Sequence, residues 1–152
     1  MQPYGTIVWA TDGSAAAAAA LVEARGLAEL TGARIVAVYC DQRFEGWSGR
    51  SGTDVRTEIC ELVEGLQEDG VPIDLVLKRT HQDAADTLAL VAAEVGAGLV
   101  VCGTRGLSPI AGLLAGSFTQ RLLQIAPCPV VAVPASSTRV ARNGSRAASI
   151  PA

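Results

Sequence analysis

Histidine and lysine each occur once in this 152-residue chain, as His81 and Lys78. That scarcity argues against an ATP-using enzyme of a related α/β fold, such as an adenylyl transferase, which would need a catalytic His or Lys cluster and a substrate domain. His81 has no Ser or Cys motif to pair with and reads as an exposed loop residue. Four cysteines, Cys40, Cys60, Cys102 and Cys128, show no Cys-x-x-Cys spacing, so zinc and redox-pair signatures are missing. Three of them fall in or beside apolar runs, where a buried, reduced thiol is expected. No apolar run approaches the roughly 18 residues of a membrane span, and no secretory leader pattern is visible. A cytoplasmic protein without membrane contact is the expectation. Aromatic residues make up only 4% against 49% apolar, so the core must be built from Val, Leu, Ile and Ala.

Positive charge is also scarce where the chain is patterned. Residues 1–134 hold 9 basic and 15 acidic side chains, a net of −6, which argues against a general nucleic-acid surface. Residues 135–152 are rich in Ser, Arg, Ala and Gly, lack periodicity and read as a disordered basic tail. The remaining 134 residues suffice for one domain with a real core.

Strand and helix patterns alternate along it. Thr6 to Ala10 reads as a strand, and Ser14 caps a helix that opens on six alanines and stops at Gly32. The small side chains would let this helix lie very close to a sheet. Arg34 to Cys40 is a second strand, and Asp41 to Gly52, with Trp47 inside it, is a loop. Thr53 to Asp69 is amphipathic, with Val55, Ile59, Leu62, Val63 and Leu66 inward and Glu58, Glu61, Glu64 and Glu68 outward. Ile73 to Arg79 is a more polar strand suited to a sheet edge. Asp83 to Glu94 is a third helix and Gly98 to Cys102 a fourth, buried strand. Ser117 to Ile125 is the last helix and Val130 to Val133 the last strand. Such alternation implies right-handed crossovers, a parallel sheet and an α/β class, with one three-layer α/β/α domain.

The most distinctive stretch runs from Gly103 to Ser117 and has the form Gly-x2-Gly-x9-Gly-Ser, with Gly103, Gly106, Gly116 and Ser117 in the fixed places. It is not a P-loop, which would need Lys before Ser117, and it is not the dinucleotide fingerprint Gly-x-Gly-x-x-Gly. Glycine at 103 and 106 removes Cβ atoms that would keep an anion from backbone N–H groups. Ser117 reads as the N-cap of the last helix, where free amides and the positive dipole end converge. Two amide clusters joined by a nine-residue span could hold a polyphosphate between them.

This spacing resembles the signature of the ATP-binding branch of the universal stress protein family. Ala10-Thr11-Asp12-Gly13-Ser14 resembles that family's first strand end, and Ala126-Pro127-Cys128-Pro129-Val130-Val131 its closing segment. The resemblance covers most of residues 4–134. It implies a Rossmann-like, adenine nucleotide alpha hydrolase-like sheet of order 3-2-1-4-5, with a ligand crevice where the winding reverses between the first and fourth strands. It implies a stress-response module that binds ATP with Mg2+ and forms a homodimer through Val130, Val131, Ala132 and Val133. Nucleotide contacts are implied for Ala10, Thr11, Asp12, Tyr39, Cys102, Gly103, Arg105, Gly106, Gly116, Ser117, Phe118 and Thr119. Asp12 suits a ribose hydroxyl or a metal ion bridging phosphates, since it would repel a phosphate directly. Tyr39 would contribute backbone contacts to adenine. Phe118 is bulkier than the small aliphatic residue common in relatives and is expected to narrow the phosphate site. Gly98 and Gln82-Asp83-Ala84 also depart from the family pattern.

No general base is placed to activate water, so the chain is not expected to be an enzyme beyond slow, incidental ATP hydrolysis. The alternative is a protein of the same fold that has lost nucleotide binding and works through its dimer surface.

Overall fold

The computed structural model describes residues 4–42, 52–104 and 116–136. Within them strands and helices alternate: β1 (Thr6–Thr11), α1 (Ala15–Thr31), β2 (Arg34–Gln42), α2 (Gly52–Glu68), β3 (Ile73–Thr80), α3 (Ala84–Glu94), β4 (Leu99–Gly103), α4 (Ser117–Ile125) and β5 (Val130–Val133). Trp47, Arg105, Gly106 and the chain from residue 137 onward lie outside the described residues.

The strands form one parallel sheet in the order β3-β2-β1-β4-β5. Alternation along each strand sends successive side chains to opposite faces. Ile7, Trp9, Ile35, Ala37 and Tyr39 pack with α1 and α2, which contribute Ala20, Leu21, Ala24, Val55, Ile59, Val63 and Leu66. Val8, Ala10, Val36, Val38, Val100 and Cys102 face the other way, onto Ala85, Leu88, Val91 and Ala92 of α3 and Leu122 of α4. The central strands are covered on both faces, which is why β1 and β4 read as unbroken apolar runs.

Local chemistry ends the helices where the residues say it should. The Ser14 hydroxyl accepts from the Ala17 amide at 3.2 Å, and Gly32 closes α1 in the left-handed region at φ 72°. Asp83 caps α3 by accepting from the Ala85 amide at 2.8 Å. In α2 the four outward glutamates are exposed as the periodicity predicts. Leu62 departs from it: Val55, Ile59, Val63 and Leu66 fill the inward stripe, leaving Leu62 at its margin and 43% exposed.

Candidate functional site

β1 and β4 are neighbours in the sheet, with Trp9 level with Val101, and the winding reverses between them. Their carboxyl ends, Thr11 and Gly103, therefore open on the crevice where sheets of this kind take ligands. Two helices, α1 and α4, begin beside it, and their first turns differ in one decisive respect.

The β1–α1 turn seals itself. Thr11 Oγ1 accepts from the Gly13 amide at 3.2 Å, Asp12 Oδ1 from the Ser14 amide at 2.9 Å, and Ser14 Oγ from Ala17. Asp12 thus forms an Asx turn, half-buried at the lip of the crevice. Gly13 holds φ 78°, and a Cβ there would meet Val55 Cγ1 at 2.9 Å, so α2 closes over this turn. Ala10 and Thr11 are buried in the strand end.

The β4–α4 connection is arranged otherwise. Gly116, not Ser117, is the N-cap of α4, with φ −68° and ψ 164°, and no side chain caps the helix. Ser117 is instead the first helical residue, because Gly116 already supplies the extended backbone that precedes the first turn. The first intrahelical bond runs from the Gln120 amide to Gly116 O at 3.0 Å. No described group accepts from the amides of Ser117, Phe118 and Thr119, which point out of the helix start as they must. The Gly116 amide does not join them, since it donates to Thr104 O at 2.7 Å. The Thr104 amide is also used, donating to Val133 O at 2.9 Å.

Three residues expected at the site have packing or bonding roles of their own. The absent Cβ of Gly103 makes room for α1: it would stand 2.6 Å from Ala16 Cβ and 2.9 Å from the Ala16 carbonyl carbon. Helix packing therefore demands this glycine, whatever occupies the crevice. The Thr119 hydroxyl is buried and donates to Gly103 O at 2.8 Å, leaving only its amide for an anion. The partly buried Phe118 ring packs against the core on the α3 and α4 face.

Tyr39 stands level with Thr11 in the sheet and is only 7% exposed. Burial, with Asp41 and Asp12 nearby, raises its phenol above the usual range, so the proton stays on. Cys102 is buried among α3 and α4 side chains, and burial pushes its thiol up to about 11. Only its backbone can face a ligand. Cys40, Cys60 and Cys128 are partly buried and, like Cys102, unbridged. Gly103, Thr11, Asp12, Ser117 and the Phe118 and Thr119 amides thus gather at one crevice, with Tyr39 one strand away. Ala16 shows the close helix approach expected of the alanine run, while Trp9 has a role that the sequence reading did not assign. The Trp9 indole donates from Nε1 to Ala17 O at 2.9 Å and pins α1 to the sheet. The signal for Trp9 was a bulky residue in the strand that leads directly into an alanine run.

A family model described as the universal stress protein family matches residues 3–134. The chain belongs to that family. A Thermus aquaticus relative, "Universal stress protein in QAH/OAS sulfhydrylase 3'region", is 33% identical over 138 residues, covering 86% of this chain and 98% of its own. Among solved structures, a universal stress protein family member from Burkholderia pseudomallei is 29% identical with a TM-score of 0.65, covering 88% of this chain and 98% of the other. A universal stress protein solved in complex with cAMP is 25% identical with a TM-score of 0.68, covering 88% and 99%. In this universal stress protein, then, the family's sheet is intact and the open amides lie at its switch point. No helix among the described residues is long and apolar enough to cross a membrane.

Proposed function

We propose that this universal stress protein binds an adenine nucleotide, ATP with Mg2+, in the crevice at the carboxyl ends of β1 and β4, and that the bound state serves stress-response signalling. The observation that carries this reading is the contrast between the two helix starts: at α1 the Ser14 side chain takes the Ala17 amide, whereas at α4 no side chain caps the helix and no described group accepts from its first three amides, beside a positive dipole end. The relative solved with cAMP supports an adenine nucleotide as the ligand class. In this reading the phosphates lie on Ser117, Phe118 and Thr119, and the nucleoside lies toward Asp12 and Tyr39.

Mg2+ fits the residues present. It keeps most of its shell from water and phosphate and needs only one or two carboxylates, and Asp12 is one placed at the lip. Asp12 is already oriented by the Ser14 amide and is not set up to activate water, so any hydrolysis is slow and incidental. The protein acts as a cytoplasmic homodimer through β5, an edge strand whose Val130, Val131 and Ala132 are only partly covered.

A second reading has one observation in its favour. Gly103 is required by Ala16, so part of the glycine signature would persist in a protein that binds no nucleotide and works through its dimer surface. Titration calorimetry with Mg-ATP on the wild type and Gly116→Val decides between them. The nucleotide reading expects binding in the wild type and its loss in the variant with the fold intact. Equal affinities, or no binding by the wild type, overturn it.

A further inference from the structure

The hydroxyl of Thr119 is turned into the protein, although the residue belongs to the turn whose amides face the crevice. Thr119 is only 2% exposed; its hydroxyl donates to Gly103 O at 2.8 Å, and the Cys102 thiol bonds to it in turn. Valine has nearly the same shape and would fill this place without burying a polar group, so packing alone does not call for threonine.

What the bond fixes is direction. Gly116 is the N-cap of α4, so Thr119 stands at the third helical position. In a capping box the side chain at that position reaches back to the N-cap amide and closes the helix start on itself. Here the two groups part: the Gly116 amide donates to Thr104 O at 2.7 Å, and the Thr119 hydroxyl to Gly103 O. The first turn of α4 is thus fastened to two consecutive carbonyls at the end of β4. One bond would be a pivot; two set the tilt of the turn. The strand end they grip is itself held, because Gly103 packs against Ala16 of α1 and the Thr104 amide donates to Val133 O.

We propose that the Thr119 side chain is a positioning group for the phosphates of the bound nucleotide: it acts through Gly103 O to aim the first-turn amides, and its hydroxyl does not touch the ligand. The inference rests on the nucleotide reading above and adds to it the side chain that orients the donors. Hydrogen bonds weaken steeply with errors of distance and angle, so a binding turn must be held to within about 0.5 Å of its productive place. Without the hydroxyl, Gly103 O loses this partner, and the turn is free to swing about the remaining Gly116 bond.

Two substitutions split the side chain. Thr119→Val keeps its volume and removes the bond; Thr119→Ser keeps the bond and removes the methyl group. Mg-ATP affinity is measured by titration calorimetry on the full chain, at a temperature where circular dichroism shows all three proteins folded. Binding about tenfold weaker in Thr119→Val, and within about twofold of wild type in Thr119→Ser, is the expected result. A packing role gives the reverse order, with Thr119→Ser the weaker binder. Equal affinity in wild type and Thr119→Val, or Thr119→Ser binding no better than Thr119→Val, overturns the proposal and leaves the nucleotide reading standing. Absence of ATP binding by the wild type overturns that reading, and this inference with it.

Discussion

Ala16 of α1 stands where a side chain on Gly103 would have to go, with only 2.6 Å between the two Cβ positions. The end of β4 and the first turn of α1 are thereby pressed together at the mouth of the crevice. Gly103→Ala must push the helix off the sheet, and overpacking of this kind costs about 1–3 kcal/mol. Urea unfolding is expected to show that loss. Adding Ala16→Gly should recover only part of it, because the Ala16 carbonyl carbon is also within 2.9 Å.

Ser117→Asp separates the helix from its ligand. An acid in the first turn interacts favourably with the dipole, by about 0.3–1 kcal/mol, so the folded protein should gain a little stability. The same charge repels a phosphate from the Ser117, Phe118 and Thr119 amides. A raised thermal midpoint together with weakened ATP binding is the expected pair of results. Weakened binding with lowered stability would point to a damaged fold.

Trp9→Phe tests the pin between β1 and α1. The indole is 1% exposed and its Nε1 donates to Ala17 O at 2.9 Å. Phe loses that bond and leaves a space beside the alanines that they are too small to fill. A loss of roughly 2–3 kcal/mol in denaturant unfolding is expected.

Alkaline pH should weaken the fold through its thiols. Burial raises the Cys102 thiol from 9.0 to about 11, opposed slightly by the Thr119 hydrogen bond, and burial raises Cys40 likewise to about 11. Between those values the unfolded chain has given up protons that the folded one keeps. The stabilisation is therefore complete below pH 9 and is lost as pH rises toward 11. For Cys102 the loss is on the order of 2–3 kcal/mol. Cys102→Ala should start less stable at pH 7 and show a shallower decline over that interval.

How far the sequence revealed this molecule depended on whether a residue acts on its own backbone or on a distant element. Ser14, Gly32 and Asp83 work within a few residues of themselves, and the helix ends they mark are where periodicity placed them. Strand order followed from alternating elements and the family pattern. Gly103 was conspicuous as a missing side chain, but nothing local tells that Ala16, 87 positions earlier, fills the space. Ser117 resembled a cap because serine usually is one. Only the backbone angles show that Gly116 has taken that place.

Thr119 holds Gly103, Gly116 holds Thr104, and Thr104 holds Val133. These links make an unbroken tether from the first turn of α4 to the final residue of the outermost strand. A molecule held by the amides of that turn would sit at one end of this tether, with the edge of the sheet at the other.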